Sequence, residues 1–174
     1  MVEILLVVGF IALASIGIYA VYNKMVTSYQ AHQEYTNLQT IVSGVQQLYA
    51  NQQNYTGLTT QVVRNARIAP QQMHTGGPTG LVNSFGGKVE VYSYMAPQGP
   101  VLTIHTYGIP SDVCIKLVSL AHPSFTDIAI DSDGVVKTYT KPNFNLDTAL
   151  WACDYFDTHD IEFKIRKSGY ALSG

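Results

Sequence analysis

Residues Ile4 to Tyr22, ILLVVGFIALASIGIYAVY, form a run without one formal charge, and an acid, Glu3, stands directly before it. As an α-helix at about 1.5 Å per residue, such a run comes close to the roughly 30 Å hydrocarbon thickness of a bilayer. A helix that is apolar all round needs an apolar environment on every side, in a membrane or among other helices. The rest of the chain reads as one modest soluble domain. Two kinds of protein fit this layout: a domain anchored by its N-terminus, and a subunit that leaves the membrane to polymerise through this helix.

Composition narrows the partners. The chain is 47% hydrophobic but only 13% charged, about half the usual ~25%. Its surface must therefore lean on Ser, Thr, Asn, Gln, Tyr and Gly, which are hydrophilic without charge and suit dense packing against copies of the same chain. A net charge of −2 gives no basic patch for phosphates, so no nucleic-acid partner is expected. The apolar run has no basic stretch before it and no small-x-small cleavage site after it, unlike a secretory signal. It reads as the start of a mature form that has lost a short basic leader, with Met1 as the initiator the other option.

Helical periodicity continues beyond the run. Leu38, Ile41, Val42, Val45, Leu48 and Tyr49 share one face, and Met25, Tyr29 and His32 are expected to extend it upstream. No proline interrupts residues 1 to 69, and Asn54 with Gly57 gives the first stop signal, so one helix is expected from about residue 3 to 52. Gly9, Gly17 and Gly44 each cost it roughly 1 kcal/mol against Ala. Gly9 and Gly17, about two turns apart, mark a place for close helix approach or local unwinding. Loop-like sequence follows over 54–87, with a short helix around Thr60 to Ala66. Alternation predicts strands over Lys88–Met95, Val101–Tyr107 and Ile161–Ile165, and a hairpin of Phe125–Ile130 with Val135–Thr140 around Asp131-Ser-Asp-Gly134. Helices are expected over 111–121 after Pro110, and over Leu146–Tyr155 capped by Asn145 or Asp147. The fold class is α+β: a long N-terminal helix packed on an antiparallel sheet.

Glu3 is the most telling single residue. A carboxylate beside a membrane segment is costly to bury unpaired. It is either an exposed first-turn acid favoured by the helix dipole, or the partner of an N-terminal ammonium, here that of Met1. The two cysteines, Cys114 and Cys153, would form one disulfide in an exported domain and stay reduced in the cytosol. Asp131-Ser-Asp-Gly134 resembles the beginning of a calcium loop but lacks its downstream glutamate, and reads as an acidic turn. Asn54-Tyr-Thr is a glycosylation triplet by pattern only. Asp154, Asp157, His159 and Asp160 read as a solvated loop, and the 12 tyrosines suit half-wet interfaces. No nucleophile–base pair, phosphate loop or paired carboxylates stand in convincing context, so no enzyme and no cofactor are expected.

Glu3-Ile-Leu-Leu-Val-Val-Gly9, with Gly17 following, resembles the N-terminal assembly segment of type IV pilins. Further segments resemble the type IVb subclass in the right order. Gln52-Gln-Asn-Tyr-Thr-Gly57 and Asn83-Ser-Phe-Gly-Gly87 are similar to its loop, and Ile109-Pro-Ser-Asp-Val-Cys-Ile-Lys-Leu-Val118 to its first-cysteine helix. Asp147-Thr-Ala-Leu-Trp-Ala-Cys153 is similar to its second-cysteine segment. In that family the glutamate is usually fifth in the mature chain; here it is third, a difference of about 3 Å of helix. Either two residues are missing from the start or the glutamate–amine contact is rearranged.

The resemblance implies a pilin fold and a major structural subunit of an extracellular type IVb pilus. Residues 1–24 would form the membrane or filament-core half of the helix, and 25–174 the globular domain with the amphipathic half. It implies copies of the chain itself, the inner membrane before assembly, a prepilin peptidase that also methylates the new N-terminus, and the pilus assembly machinery as partners. Met1 and Glu3 would act in assembly. The alternatives are a minor pilin, a type II secretion pseudopilin, or a signal-anchored periplasmic binding domain that never polymerises. Cys114 and Cys153 then read as a structural disulfide closing a loop of about 40 residues. A metal site drawing on His105, His122 or His159 has no closely spaced ligand pair to build on.

Overall fold

The computed structural model describes residues 2–74, 77, 80–132, 134–140, 145–154 and 156–167, with side chains from Tyr22 onward except those of Asn23, Ser132, Val135 and Lys137. Helix α1, Val2–Leu48, dominates it. It ends four residues earlier than the periodicity suggests, because the next bonds tighten: Ala50 N donates to Gln47 O and Gln52 N to Tyr49 O. Lys167, at the far end of the chain, sets the stop. Its Nζ donates to Tyr49 O at 2.7 Å and also to Gln52 O, placing an ammonium just past the negative end of the helix.

Helix α2, Thr60–Asn65, starts on Thr59, whose hydroxyl accepts from Val62 N. It ends in a Schellman turn, with Arg67 N bonded to Arg64 O and Ile68 N to Val63 O. Arg67 occupies the left-handed position, φ 54°, where glycine is the unstrained choice. Arg67→Gly is therefore expected to stabilise the fold by roughly 1 kcal/mol, read as a melting temperature a few degrees higher; a lower one would contradict the strain. The turn delivers Ile68 onto α1 at Gly44, where a Cβ would lie 2.4 Å from Ile68 Cγ2. The glycine that costs α1 helix propensity thus admits a core side chain.

The sheet has six strands: β1 Leu81–Val82, β2 Lys88–Ala96, β3 Gly99–Pro110, β4 Asp127–Ser132, β5 Val135–Thr140 and β6 Thr158–Arg166, in the order β1-β2-β3-β6-β4-β5. Every pairing is antiparallel. The last strand in the chain thus fills the middle, where alternation sends Ile161, Phe163 and Ile165 inward and Glu162, Lys164 and Arg166 outward. Inward residues of β2, β3, β4 and β6 join Leu38, Ile41, Val42 and Val45 of α1 in one core. The β3–β6 register breaks between Thr106 and Ile109. There Gly108 takes φ 68° and donates its N–H to Asp160 Oδ1 at 2.9 Å. Asp160, expected in a solvated cluster, instead pins this bulge.

Helix α3, Ser111–Ala121, and helix α4, Leu146–Asp154, pack on each other, with α3 against β3 and β6 and α4 against β4. Asn145 caps α4, its side-chain oxygen accepting from Asp147 N at 2.9 Å. Cys114 of α3 and Cys153 of α4, both fully buried, are joined in a disulfide with their Cα atoms 5.8 Å apart.

Candidate assembly surface

Helix α1 has two unlike faces. Ala31, Leu38, Ile41, Val42, Val45 and Tyr49 are buried in the domain. Tyr22, Met25 and Tyr29 are 63%, 68% and 69% exposed, and His32 is exposed with them. The expectation that Met25, Tyr29 and His32 extend the buried face is therefore corrected, as is the inward placement of Leu48, which is 47% exposed. Over residues 22–32 polar and apolar side chains are mixed around the helix, so the period alone does not say on which side the domain lies. The domain meets α1 on the side of Thr27 and Ala31, so the large side chains of this stretch point away.

Below this apolar stripe the outer face continues through Thr36, Thr40 and Ser43 at helical spacing. Each hydroxyl turns back onto its own helix. Ser28 Oγ donates to Lys24 O, Thr36 to His32 O, Thr40 to Thr36 O and Ser43 to Gln39 O, all at 2.8–2.9 Å. Between Lys24 and Arg64 the chain holds a single Asp, Glu, Lys or Arg, Glu34, and it is buried. The result is an outward helix face with no formal charge and with its Ser and Thr hydroxyls satisfied, so little is lost when water leaves that part of it.

Helix α3 is clamped beside this face. Thr27 Oγ1 donates to Asp112 Oδ2 at 2.8 Å, Lys116 Nζ donates to Ser28 Oγ at 2.9 Å, and the Tyr35 hydroxyl pairs with Ser124 Oγ at 2.8 Å. A shallow groove remains between the helices, lined by Ala31, His32, Ile115 and Leu120. The disulfide holds α3 to α4 from behind, so the position of α3 against α1 is fixed on two sides.

The outer face of the sheet is the opposite in character. Glu90, His105 and Glu162 stand in register across β2, β3 and β6. The His105 ring stacks on Tyr107 with centroids 4.0 Å apart. Tyr107 donates to Glu90 at 2.7 Å and Tyr92 to Glu162 at 2.9 Å. Lys88 pairs with Glu90 at 2.5 Å and Lys164 with Glu162 at 2.6 Å. Bonds from Lys88 and Tyr107 hold the Glu90 carboxyl below its ordinary value. Burial pulls Glu162 upward, but the bonds from Lys164 and Tyr92 outweigh it and leave it lowered. The two phenols are correspondingly pushed up, first by burial and then by their carboxylate partners.

The sequence-predicted assembly residues fall at the other end. Met1 and the side chain of Glu3 lie outside the described residues; Gly9 and Gly17 lie within α1 as helical backbone. Among the described residues no helix is long and apolar enough to cross a membrane, and the side chains of Ile4–Val21 are not among those described. Among the described residues no three His, Cys, Asp or Glu side chains gather as a metal site. His159 is buried with Nε2 3.1 Å from Ser111 Oγ. Asp131 accepts from Gly134 N, as an acidic turn should. Sequence reasoning passed over Glu34; its isolation as the one acid in a long charge-free stretch was the available signal.

A family model described as PilS N terminal matches residues 28–165. Comparison with curated protein sequences gives no match. Among solved structures, the chain is similar to the type IV b pilin from Salmonella typhi, with a TM-score of 0.61 and 19% identity, covering 78% of this chain and 99% of that one. It is also similar to TcpA, a type IV pilin from the Vibrio cholerae El Tor biotype, with a TM-score of 0.59 and 14% identity, covering 78% and 98%. At these identities the likeness is one of fold.

Proposed function

We propose that this chain, which belongs to the type IVb pilins through the family described as PilS N terminal, is the major subunit of an extracellular type IVb pilus and polymerises through its N-terminal helix. Pilins of this fold are structural, not enzymatic. The observation that carries the reading is the outer face of α1: an exposed Tyr22–Met25–Tyr29 stripe, then satisfied hydroxyls, without formal charge down to the helix end. It continues the Ile4–Tyr22 run, so residues 1–24 act as the filament-core half and residues 25–174 as the globular domain.

The apolar half-helix has two environments that hide it, the inner membrane before assembly and the filament core afterwards. Burying it removes on the order of a thousand Å² of apolar surface from water, worth tens of kcal/mol as an upper bound at ~25 cal/mol/Å². A heterologous contact between copies generates an open helix, which is a filament. A prepilin peptidase and the pilus machinery act on the chain before and during this step. Gly9 and Gly17 allow the helix to loosen in the core, where neighbouring groups take up the freed carbonyls.

Glu3 neutralises the N-terminal ammonium in that core, since an unpaired carboxylate there costs several kcal/mol. Glu3→Ala is expected to leave a folded, membrane-inserted subunit that enters filaments poorly, with Glu3→Gln showing how much depends on charge. Electron microscopy of sheared surface material measures both points. Filaments whose bulk component is this chain support the major-subunit reading; a trace amount points to a minor pilin or pseudopilin, and none at all to an anchored binding domain. Wild-type pili from the Glu3→Ala subunit would remove the assembly role and leave Glu3 as a first-turn acid.

A further inference from the structure

Glu34 is a charged residue type with 0% exposure, set on the inner face of α1 among Leu38, Ile41 and Val42. Its hydrogen bonds all converge on one oxygen. Oε2 accepts from Ser84 N at 3.2 Å, from Ser84 Oγ at 3.0 Å and from Asn37 Nδ2 at 3.4 Å, while Oε1 is buried with no partner. Ser84 belongs to a tight loop built by Asn83. The Asn83 side-chain oxygen accepts from Phe85 N and Gly87 N, and its Nδ2 donates to Thr106 Oγ1 and Tyr107 O of β3. Gly87 lies so close to β3 that a Cβ would fall 1.8 Å from Tyr107 O. The loop is thus fixed to the sheet by Asn83 and to the helix by Glu34.

We propose that Glu34 is a proton-sensing clamp between α1 and the Asn83–Gly87 loop, one whose net hold grows as it takes up a proton, because losing the buried charge outweighs the weakening of the Ser84 bonds. The asymmetry of its contacts assigns the proton. On Oε1 it neutralises the oxygen that no donor serves, and Oε2 remains as the carbonyl that receives both Ser84 donors. In the ionised form half of the charge rests on a buried oxygen with no protein donor among the described residues, which costs far more than one unmade hydrogen bond.

Among the described residues no charge offsets that cost. The loop 83–87 and the Gln71–Met73 turn carry no ionisable group, and on α1 the neighbours are His32, which is exposed, and Tyr35, which is bonded to Ser124. Lys88, His74, Asp112 and Lys116 on the flanking segments do not enter either. The Glu34 carboxyl is raised above its ordinary value by burial first, with the bonds from Ser84 and Asn37 only partly opposing it. The sign follows. The folded chain binds the proton more readily than the unfolded one, so this contribution is full at low pH and fades as pH climbs past 4.5 through the raised folded value. Glu90 and Glu162, both lowered, act in reverse and lose their contribution as pH falls. In acid, the joint between helix and sheet therefore firms while the outer sheet face loosens.

The test is a carboxyl-carbon NMR titration of the full chain in detergent micelles, with the Glu34 signal assigned by its absence in Glu34→Gln. A midpoint above 4.5, displaced further upward in Ser84→Ala, is expected; a midpoint at or below 4.5 overturns the clamp. Melting curves supply a second readout. Glu34→Gln keeps an acceptor for Ser84 without the charge, so it is expected to melt above wild type at pH 7.5. That gap should close as pH falls below the titration midpoint. A gap constant across pH, or a less stable Glu34→Gln at pH 7.5, would also overturn it.

Discussion

Cys114→Ser is expected to cost about 2–5 kcal/mol and, for a chain of this size, to lower the melting temperature by roughly 5–20 °C. The bond it removes spans 39 positions and joins two buried cysteines on different helices. Cutting it releases the unfolded chain from a large constraint and leaves a buried hydroxyl where a sulfur bridge stood. Cys153→Ser should behave the same way, and the double variant should be little worse than either single one, because both single changes remove the same bond. Thiol reductant should bring wild type down to the variants and leave the variants unmoved. A melting temperature within a degree or two of wild type would show that the helices are held by packing alone. Since the disulfide also secures α3 against α1, abundance of the folded chain should fall before any particular contact changes.

Phe163→Ala is expected to be comparably severe, about 3–5 kcal/mol. Phe163 is fully buried at the centre of β6, between Ile104 of β3 and Ile128 of β4 in register. Its ring sits 5.0 Å from that of Phe125, tilted by 50°. A central strand has partners on both sides and cannot shift to close the cavity. Phe163→Leu, which keeps most of the volume, should lose less than half as much. Urea denaturation of the two variants separates a cavity effect, which scales with lost volume, from a loss of strand pairing, which would penalise them equally.

The strands were legible where burial alternates. In Val89, Val91, Leu102, Ile104, Ile161 and Phe163 the inward side chains repeat every second residue, and the sheet places them so. The long helix was legible from the missing prolines. Strand order was not, because nothing local in Ile161–Ile165 says that the chain's last strand enters between two earlier ones. Strand β1, only Leu81–Val82, is too short to carry a period. The wrong side assigned to Met25 and Tyr29 has a similar origin: a domain contact chooses the face, and that contact comes from Asp112 and Lys116, more than eighty positions away. Glu34 looks like any helix-surface acid until Ser84, fifty positions on, is seen against it.

The edges of the sheet are treated unequally. Thr60 Oγ1 accepts from Val91 N at 2.9 Å, Ser93 Oγ donates to Tyr55 O at 2.7 Å, and Thr59 bridges to Tyr92. Together they close the flank of β2 that β1 is too short to cover, leaving no row of bare amides there for a stray strand to join.

The outer face of α1 has a consequence for solution conditions. With no formal charge from Met25 to the helix end except the buried Glu34, it gives counterions nothing to screen, and a Debye length of about 10 Å or 3 Å makes no difference to what it attracts. Whatever seats on that face is held by the reluctance of water to wet it. Such a hold is not screened away in brine, and it weakens on cooling.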